Sequence, residues 1–302
     1  MRRPALAAWL LIAGPMLTAC ASQTPVAAQR TPSTLQSMGD VVGDLDTDLD
    51  PSIPAAYRRA VEAAQIEGNA LYREDRAAWL ATDALKAHGA TMLDSRMAAT
   101  GWLALQRDVE GHTWSVIFTA QSAGATVAYA EVLVDFTHEP PNVAIQPLAE
   151  PRPLSDLEQL LHAARSAVLA KDWLRCAPSY NTSTQFFIDE GRDFIVVRLM
   201  PGWTDPARVP MGGFHRFRIP LAAGGTLEHF AQTRACIAAD YNQLRPGDTF
   251  AMTLVNSSAP TEFDVFASLS YRHPHYAMTE AGAWMIDTGH VRYLGEAKEP
   301  RP

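Results

Sequence analysis

Two histidines that flank a proline lie in a segment whose side chains could bind a metal ion. His273 and His275 follow residues 262–272, a predicted strand on which Glu262 and Asp264 would share one face. Imidazole nitrogen and carboxylate oxygen are ligands that zinc and similar divalent ions accept. Asp264, His273 and His275 therefore form a candidate metal site. A polar loop with partly exposed histidines is the alternative, because no spacing here is diagnostic of metal binding.

A second group of residues could bind an anion. Arg216 and Arg218 lie two residues apart in a predicted strand, residues 214–220, so both side chains are expected on one face and His215 on the other. Two guanidinium groups on one face suit a carboxylate or a phosphate. The alternative is a solvated strand face whose charges are balanced by nearby carboxylates.

Most of the seven tryptophans are predicted to lie in the core. Trp79, Trp114 and Trp284 sit in apolar, strand-like segments, where a large ring usually buries its area. Trp203 differs because it lies in a proline-rich loop, residues 201–210, where a ring can contact a ligand or partner. The sequence allows two interpretations of Trp203: contact with a ligand or partner, or packing in the core.

The common short signatures of catalysis are absent from the sequence. It contains no Gly-x-Ser-x-Gly, His-Glu-x-x-His or Ser-x-x-Lys motif and no glycine-rich phosphate or dinucleotide loop. Catalytic groups can also be assembled from distant parts of a chain, so an enzyme is less expected but not excluded. No cofactor is predicted, and a divalent metal enters only through the candidate site above.

The composition limits the classes of partner. The 302 residues are 47% hydrophobic and carry a formal net charge of −8. This apolar content is enough for a substantial core. Nucleic acid is not expected as a partner, because phosphate binding needs clustered lysine and arginine and no such run appears.

The first half of the folded part is predicted to be a helix followed by strands. Ser52 is expected to cap the helix, whose apolar positions repeat along one face at Tyr57, Val61, Ala64 and Leu71. Strand-like segments follow at residues 77–85, 101–106, 114–120 and 126–136. Proline-rich residues 138–153 then indicate a boundary, since they can neither join a central strand nor continue a helix.

The second half repeats this order. Ser155 and Glu158 have the spacing of a capping box and predict a second helix. A hairpin at residues 182–188 and 194–200 comes next. Further strands are predicted at residues 214–220, 227–237, 250–255, 262–272, 284–287 and 291–294. The sequence therefore predicts an α+β fold with two subdomains, each a helix packed on a mainly antiparallel sheet.

The N-terminus carries an export signal. A basic start at Arg2 and Arg3 precedes a short apolar stretch, residues 5–17, and the small-residue segment Leu-Thr-Ala-Cys ends at Cys20. This segment resembles the lipobox of bacterial lipoproteins, and the resemblance covers the first 20 residues only. It implies cleavage before Cys20 and acylation of its thiol and new amino group. Ala21, in place of Asp, is similar to the pattern for outer-membrane sorting.

The residues after Cys20 are predicted to be a flexible tether. Residues 21–53 are rich in Ser, Thr, Pro, Gln and Asp and show no sustained apolar period. The predicted organisation is thus a signal peptide at 1–19, the lipidated cysteine and tether at 20–53, and subdomains at 54–150 and 151–302. No family is recognised for the mature part.

Two cysteines remain if Cys20 carries lipid. Cys176 and Cys236 would then be available for a disulfide in an oxidising compartment, closing a loop of about sixty residues. Two buried free thiols are the alternative.

The leading hypothesis is a membrane-anchored envelope lipoprotein that faces the periplasm and acts as a binding or accessory module. Its partner would be an envelope protein or a glycan. The rival is a periplasmic hydrolase, metal-dependent through Asp264, His273 and His275 or acting at His215. A carrier of a small ligand between the two sheets is a third hypothesis.

Overall fold

A computed structural model describes residues 49–88, 97–146, 148–189, 192–202, 205, 208–240, 250–253 and 257–296. Cys20, the signal segment, nearly all of the tether and Trp203 lie outside these residues. All of these described residues belong to one compact unit. Among the described residues, no helix combines the length and apolar character needed to cross a membrane.

The described residues form three helices and fifteen strands. The helices are α1 (Arg58–Ala87), α2 (Asp156–Leu169) and α3 (Glu262–Tyr271). The first seven strands are β1 (Ala98–Gln106), β2 (Thr113–Ser122), β3 (Ala125–Asp135), β4 (Asn142–Gln146), β5 (Arg152–Pro153), β6 (Tyr180–Asp189) and β7 (Arg192–Pro201). The others are β8 (Arg208–Pro210), β9 (His215–Pro220), β10 (Glu228–Ala231), β11 (Ala238–Asp240), β12 (Phe250–Thr253), β13 (His275–Thr279), β14 (Gly282–Asp287) and β15 (His290–Gly295).

Three larger sheets are built mainly from strands that follow one another in sequence. The first has the order β1-β2-β3-β4, with β5 also paired to β3. The second has the order β10-β9-β7-β6, and the third the order β12-β13-β14-β15. Strands β8 and β11 form a separate small ladder, and β12 pairs with β13 in parallel while the other pairs are antiparallel. The predicted α+β class is confirmed.

Each of the three larger sheets packs against a helix. The alanine-rich end of α1 packs on the first sheet around Trp114, and α2 packs on the second sheet around Leu161 and Ile195. Helix α3 lies against α1 and contacts β14 of the third sheet. Because α1 also contacts β6, it touches strands from both halves of the chain. The subdomain boundary at residue 150 stays a prediction.

The hairpin of β6 and β7 and the capping box of α2 confirm two sequence predictions. Ser155 Oγ accepts from the Glu158 amide, and the Glu158 carboxylate accepts from the Ser155 amide at 2.8 Å. The predicted bridge is also present, since Cys176 and Cys236 form a disulfide. It lies against Gly213, whose φ of +86° and close approach to Cys176 leave no room for a Cβ.

The predicted strand at residues 77–85 is wrong, because α1 continues through Ala87. Ala77, Ala78 and Ala81 are buried at helical spacing, which a strand cannot provide. Trp79 consequently points outward and is 62% exposed, whereas the sequence placed it in the core. The predicted Ser52 cap is also wrong: α1 begins at Arg58, and Ser52 lies in a turn where its amide donates to Asp50.

The predicted strand at residues 262–272 is helix α3. Thr261 and Asp264 form a capping box at its start. Its apolar residues Phe263, Val265, Phe266 and Ala267 are buried on nearly every side, so the sequence shows no one-sided period by which to recognise a helix. The shared strand face predicted for Glu262 and Asp264 therefore does not exist. The predicted strand at 227–237 is likewise shorter, ending at Ala231.

Gly68 is the residue through which α1 approaches α3. A Cβ at this position would lie 2.5 Å from Val265 Cβ and 2.8 Å from the Glu262 carbonyl oxygen. We predict that Gly68→Ala lowers the free energy of unfolding by about 2 kcal/mol, because forced overpacking outweighs the roughly 1 kcal/mol gain in helix propensity. Urea unfolding followed by circular dichroism measures this change.

The neighbouring Asn69→Ala serves as the control, since it adds no atom to the helix contact and removes only a side-chain hydrogen bond to the Gln65 carbonyl within α1. It should alter the free energy of unfolding by less than about 1 kcal/mol. A Gly68→Ala protein as stable as the wild type would contradict the close helix contact.

Candidate functional site

One face of the second sheet carries three arginines at neighbouring positions. Arg198 on β7 lies directly opposite Arg216 on β9, and Arg218 lies opposite Val196 one step further along. Like charges at directly opposite positions of an antiparallel pair repel each other. This face therefore requires carboxylates from elsewhere in the chain.

Glu262 in the first turn of α3 lies between two of these arginines. Its Oε1 accepts from Arg198 Nε at 3.4 Å and from Arg216 Nη1 at 2.8 Å, and its Oε2 accepts from Arg216 Nη1 at 2.8 Å. The carboxylate is almost completely buried, with a side chain 3% exposed. Glu262 thereby converts a repulsive arginine pair into a bridged one.

Arg198 donates hydrogen bonds to side chains from three different elements. Besides Glu262, its Nη2 donates to Glu67 of α1 and its Nη1 donates to Gln185 of β6 at 3.1 Å. Burial by itself would lower the pKa of Arg198, but the charges of Glu67 and Glu262 outweigh it and raise the pKa. Since the side chain is only 2% exposed, these partners are what allow the charge to lie in the interior.

The three guanidinium groups also lie over phenyl rings. Their carbon atoms are 3.8 Å from the Phe194 ring centre for Arg218, 5.0 Å from Phe230 for Arg216 and 5.8 Å from Phe187 for Arg198. These distances fall within the range of cation–π attraction. The rings therefore hold the arginine side chains in defined orientations.

These residues line a cleft of about 380 Å³ that opens to the surface. Its apolar wall is made by Val196 and the three phenylalanines, and its polar wall by the three arginines with Glu67 and Glu228. His229 borders the cleft, but its ring stacks on Phe217 on the other face of the sheet. Helix α1 closes one side through Glu67. A cleft of this size, lined by both charged and apolar side chains, suits a small ligand or an anchoring side chain of a partner.

A second buried carboxylate, Glu74, lies about two helical turns beyond Glu67 on α1. Glu74 Oε2 accepts from Ser183 Oγ and from Gln185 Nε2, each at 2.7 Å, while Oε1 has no hydrogen-bond partner among the described residues. Burial raises the pKa of Glu74 to about 7, against the lowering effect of the Ser183 hydrogen bond and the Arg198 charge. Because Gln185 also accepts from Arg198, Glu74 belongs to the same hydrogen-bond network.

The structure brings together part of the anion site expected from the sequence. Arg216 and Arg218 both line the cleft, and His215 lies on the opposite face of β9. His215 is fully buried: its Nε2 donates to the Leu174 carbonyl at 2.9 Å, and its Nδ1 lies 3.0 Å from His229 Nε2. Burial lowers the pKa of His215. Both ring nitrogens of His215 thus have neighbours within the protein, and the ring lies beside Trp173.

The candidate metal residues are only partly brought together. His275 Nε2 lies 3.9 Å from Asp264 Oδ1, too far for a direct hydrogen bond. Asp264 already accepts from the Thr261 amide at 2.7 Å and from Gln232 Nε2 at 2.9 Å. The backbone of His273 forms a hydrogen bond with the His275 ring. In the part of the chain that the structure describes, no three His, Cys, Asp or Glu side chains are grouped to hold a metal.

Burial shifts the pKa values of two candidate metal ligands, Asp264 and His275. It raises the pKa of Asp264 to about 6 and lowers the pKa of His275 to about 4. Both shifts favour neutral side chains, as expected for groups in the interior.

Sequence reasoning missed Arg198, Glu67 and Glu262 as members of the site. Arg198 stands alone in the apolar run Phe-Ile-Val-Val-Arg-Leu-Met, and a charged residue in such a strand needs a buried partner. The sequence therefore predicts that Arg198 has a buried partner, but it does not identify which residue that partner is. The sequence places Glu262 beside Asp264, a candidate metal ligand. Its partners in the structure are Arg198 and Arg216, which it reaches because residues 262–271 form helix α3.

Comparisons with models of protein families, with curated proteins and with solved structures find no match to this chain.

Replacing Glu262 tests the bridge between the arginines. Glu262→Gln should lower the free energy of unfolding by about 3 kcal/mol, because it leaves Arg198 opposite Arg216 with one carboxylate fewer in a buried place. Denaturant unfolding at neutral pH measures the loss. Asp83→Asn, which removes an exposed ion pair with Lys86, is the control and should cost less than about 1 kcal/mol. A loss for Glu262→Gln as small as the control would contradict the bridging role.

Replacing Glu74 tests its raised pKa. The folded protein holds a proton on Glu74 that the unfolded chain releases, so this group makes stability fall as pH rises from about 4.5 to about 7. Glu74→Gln removes that dependence. The stability of the variant relative to the wild type should therefore increase between pH 5 and pH 8, by up to about 3 kcal/mol. Stability curves that run parallel across this range would show that Glu74 ionises normally.

Proposed function

We propose that this chain is a membrane-anchored envelope lipoprotein whose folded part is a binding or accessory module, and that the arginine and phenylalanine cleft is its binding surface. The observation that carries the proposal is the cleft itself. Three guanidinium groups are held in place there by carboxylates and phenyl rings beside an apolar wall. Preorganised polar groups next to apolar surface are what a recognition site requires.

The N-terminal sequence supports the anchored location. The segment ending at Cys20 resembles a lipobox. At the end of the tether predicted for residues 21–53, Ile53 is buried in the core and Leu49 packs against it, so the tether is proposed for residues 21–48, which have the composition of one. A flexible chain of this length lets the folded part move roughly 30 Å from its anchor. The disulfide between Cys176 and Cys236 suits an oxidising compartment such as the periplasm.

The membrane is the first expected partner, through the lipid on Cys20. The second is an envelope protein or glycan that reaches the cleft. Ala21 favours the outer membrane as the location, by the sorting pattern that the lipobox resemblance implies.

Two variants of the full-length chain test the two parts of this proposal separately. Cys20→Ser should move the protein from the membrane to the soluble fraction, and mass spectrometry of the N-terminal peptide should show acyl groups on the wild type only. A photo-crosslinking residue at the exposed position 228, beside the cleft, should capture an envelope component in living cells.

The same crosslinker at Val109, which is 40% exposed and lies outside the cleft, is the matched control. Capture from position 228 that is lost with Arg218→Gln and absent from position 109 is the expected result. Equal capture from both positions, or capture that is unaffected by Arg218→Gln, would contradict the cleft as the binding surface.

A further inference from the structure

We infer that the exposed indole of Trp79 on α1 is a stacking platform for a neutral sugar ring of a glycan, and that this surface is a second binding site. The inference goes beyond the proposed function, because the residues that carry it are not among those that line the cleft. Trp79 and Glu67, the member of α1 that lines the cleft, are about 18 Å apart along the helix axis.

Trp79 lies largely in water. At 62% exposure it is the most exposed large apolar side chain among the described residues, whereas Trp114 and Trp284 are at most 1% exposed. An indole combines a wide apolar face with a polar N–H group, and tryptophan is enriched where proteins make contacts. The face of this ring is therefore available to a ligand.

The neighbours of Trp79 on the helix surface are all polar. Side chains three and four positions apart on a helix lie next to each other, with Cβ atoms about 5–6 Å apart. Around Trp79 these positions hold Asp75, Arg76, Thr82 and Asp83. An isolated ring in a polar setting suits a small amphipathic ligand better than the contiguous apolar surface of a protein partner or a bilayer.

The charges near Trp79 favour a neutral ligand. The guanidinium carbon of Arg76 lies 5.7 Å from the ring centre of Phe136, and Asp83 faces Lys86 at 3.9 Å. These groups are thus engaged within the protein. Asp75 and Asp83 flank the indole on opposite sides along the helix, so an anion stacked there would meet carboxylates at both ends.

Asp75 and Asn181 place hydrogen-bonding groups at one edge of the indole. Asn181, an exposed residue of β6, donates from Nδ2 to Asp75 Oδ1 at 2.9 Å. This bond uses one carboxylate oxygen and one amide hydrogen, so Asp75 Oδ2, Asn181 Oδ1 and the second amide hydrogen lie outside it. Together these atoms can accept from and donate to hydroxyl groups.

A pyranose ring matches this arrangement of groups. One face of such a sugar presents C–H groups, whose weakly positive hydrogens are attracted to the negative face of an indole. Its hydroxyl groups lie around the rim. A sugar stacked on Trp79 would bring that rim towards the preceding helical turn, where Asp75 and Asn181 lie.

The test uses the full-length lipoprotein, labelled with 5-fluorotryptophan, in phosphatidylcholine nanodiscs. Fluorine NMR follows the Trp79 resonance, which is assigned by its loss in Trp79→Phe, and calorimetry measures affinity. The probes are two neutral glycans, hexa-N-acetylchitohexaose and maltohexaose, and the anionic trigalacturonate. At least one neutral glycan should shift the Trp79 resonance and bind at least tenfold more tightly than trigalacturonate.

Variants locate the binding on this surface. Trp79→Ala should weaken binding of the neutral glycan at least tenfold, while Trp79→Tyr, which keeps an aromatic face, should weaken it by less than about threefold. Asn181→Ala should also weaken it. Leu294→Ala is the matched control, because Leu294 is 50% exposed on β15, and it should leave binding unchanged. Circular dichroism shows whether each variant folds.

Three results would overturn the inference: no shift with either neutral glycan, equal binding of trigalacturonate, or binding that survives Trp79→Ala. Broadening of the Trp79 resonance by spin-labelled lipid in the nanodisc would also overturn it, because the indole would then lie in the membrane interface. Crosslinking from position 228 tests the cleft separately, so the two sites can fail independently.

Discussion

Arg198 places a positive charge in the interior where two helices meet the second sheet, and the surrounding structure has to neutralise it. Its side chain is 2% exposed, so water cannot provide the compensation. Glu67 from α1, Gln185 from β6 and Glu262 from α3 supply it instead. Each of these elements is thus fixed in position and in rotation relative to β7.

This constraint extends to the surface through Glu262. The carboxylate that neutralises Arg198 also binds Arg216, whose side chain lines the cleft. The guanidinium of Arg216 is therefore oriented by a group in the core, and the phenyl rings orient the arginines from the other side. A binding surface whose charged groups are already held in place loses less conformational entropy when a ligand arrives. The polar interior and the cleft are parts of one arrangement.

Much of the architecture could be predicted from the sequence because local signals agree with the fold. The Ser155 and Glu158 box begins α2, and the patterns of β3 and of the β6–β7 hairpin specify strands. Helix α3 could not be predicted, because a helix buried on nearly every side has no one-sided period to recognise. The sequence of the end of α1 predicts a strand, because an alanine-rich stretch packed on a sheet is as apolar as a strand.

Only the part of the candidate site that lies within a single strand could be predicted from the sequence. Arg216 and Arg218 share a strand face by simple alternation, and His215 lies on the other face. Glu67 and Glu262 are 131 and 64 residues from Arg198 in sequence, so only tertiary folding brings them together. The spacing predicted for the candidate metal residues assumed a strand at residues 262–272, and the structure has helix α3 there instead; among the described residues no three potential ligands are grouped to hold a metal.

The most direct test of this account is a double-mutant cycle on Arg198 and Glu262. The free energies of unfolding of Arg198→Met, Glu262→Gln and the double variant are compared with that of the wild type. If the two side chains depend on each other as described, the double variant loses at least about 2 kcal/mol less than the sum of the single losses. Losses that simply add would show that the buried arginine does not depend on Glu262, and would contradict the claim that one charge network fixes both the fold and the cleft.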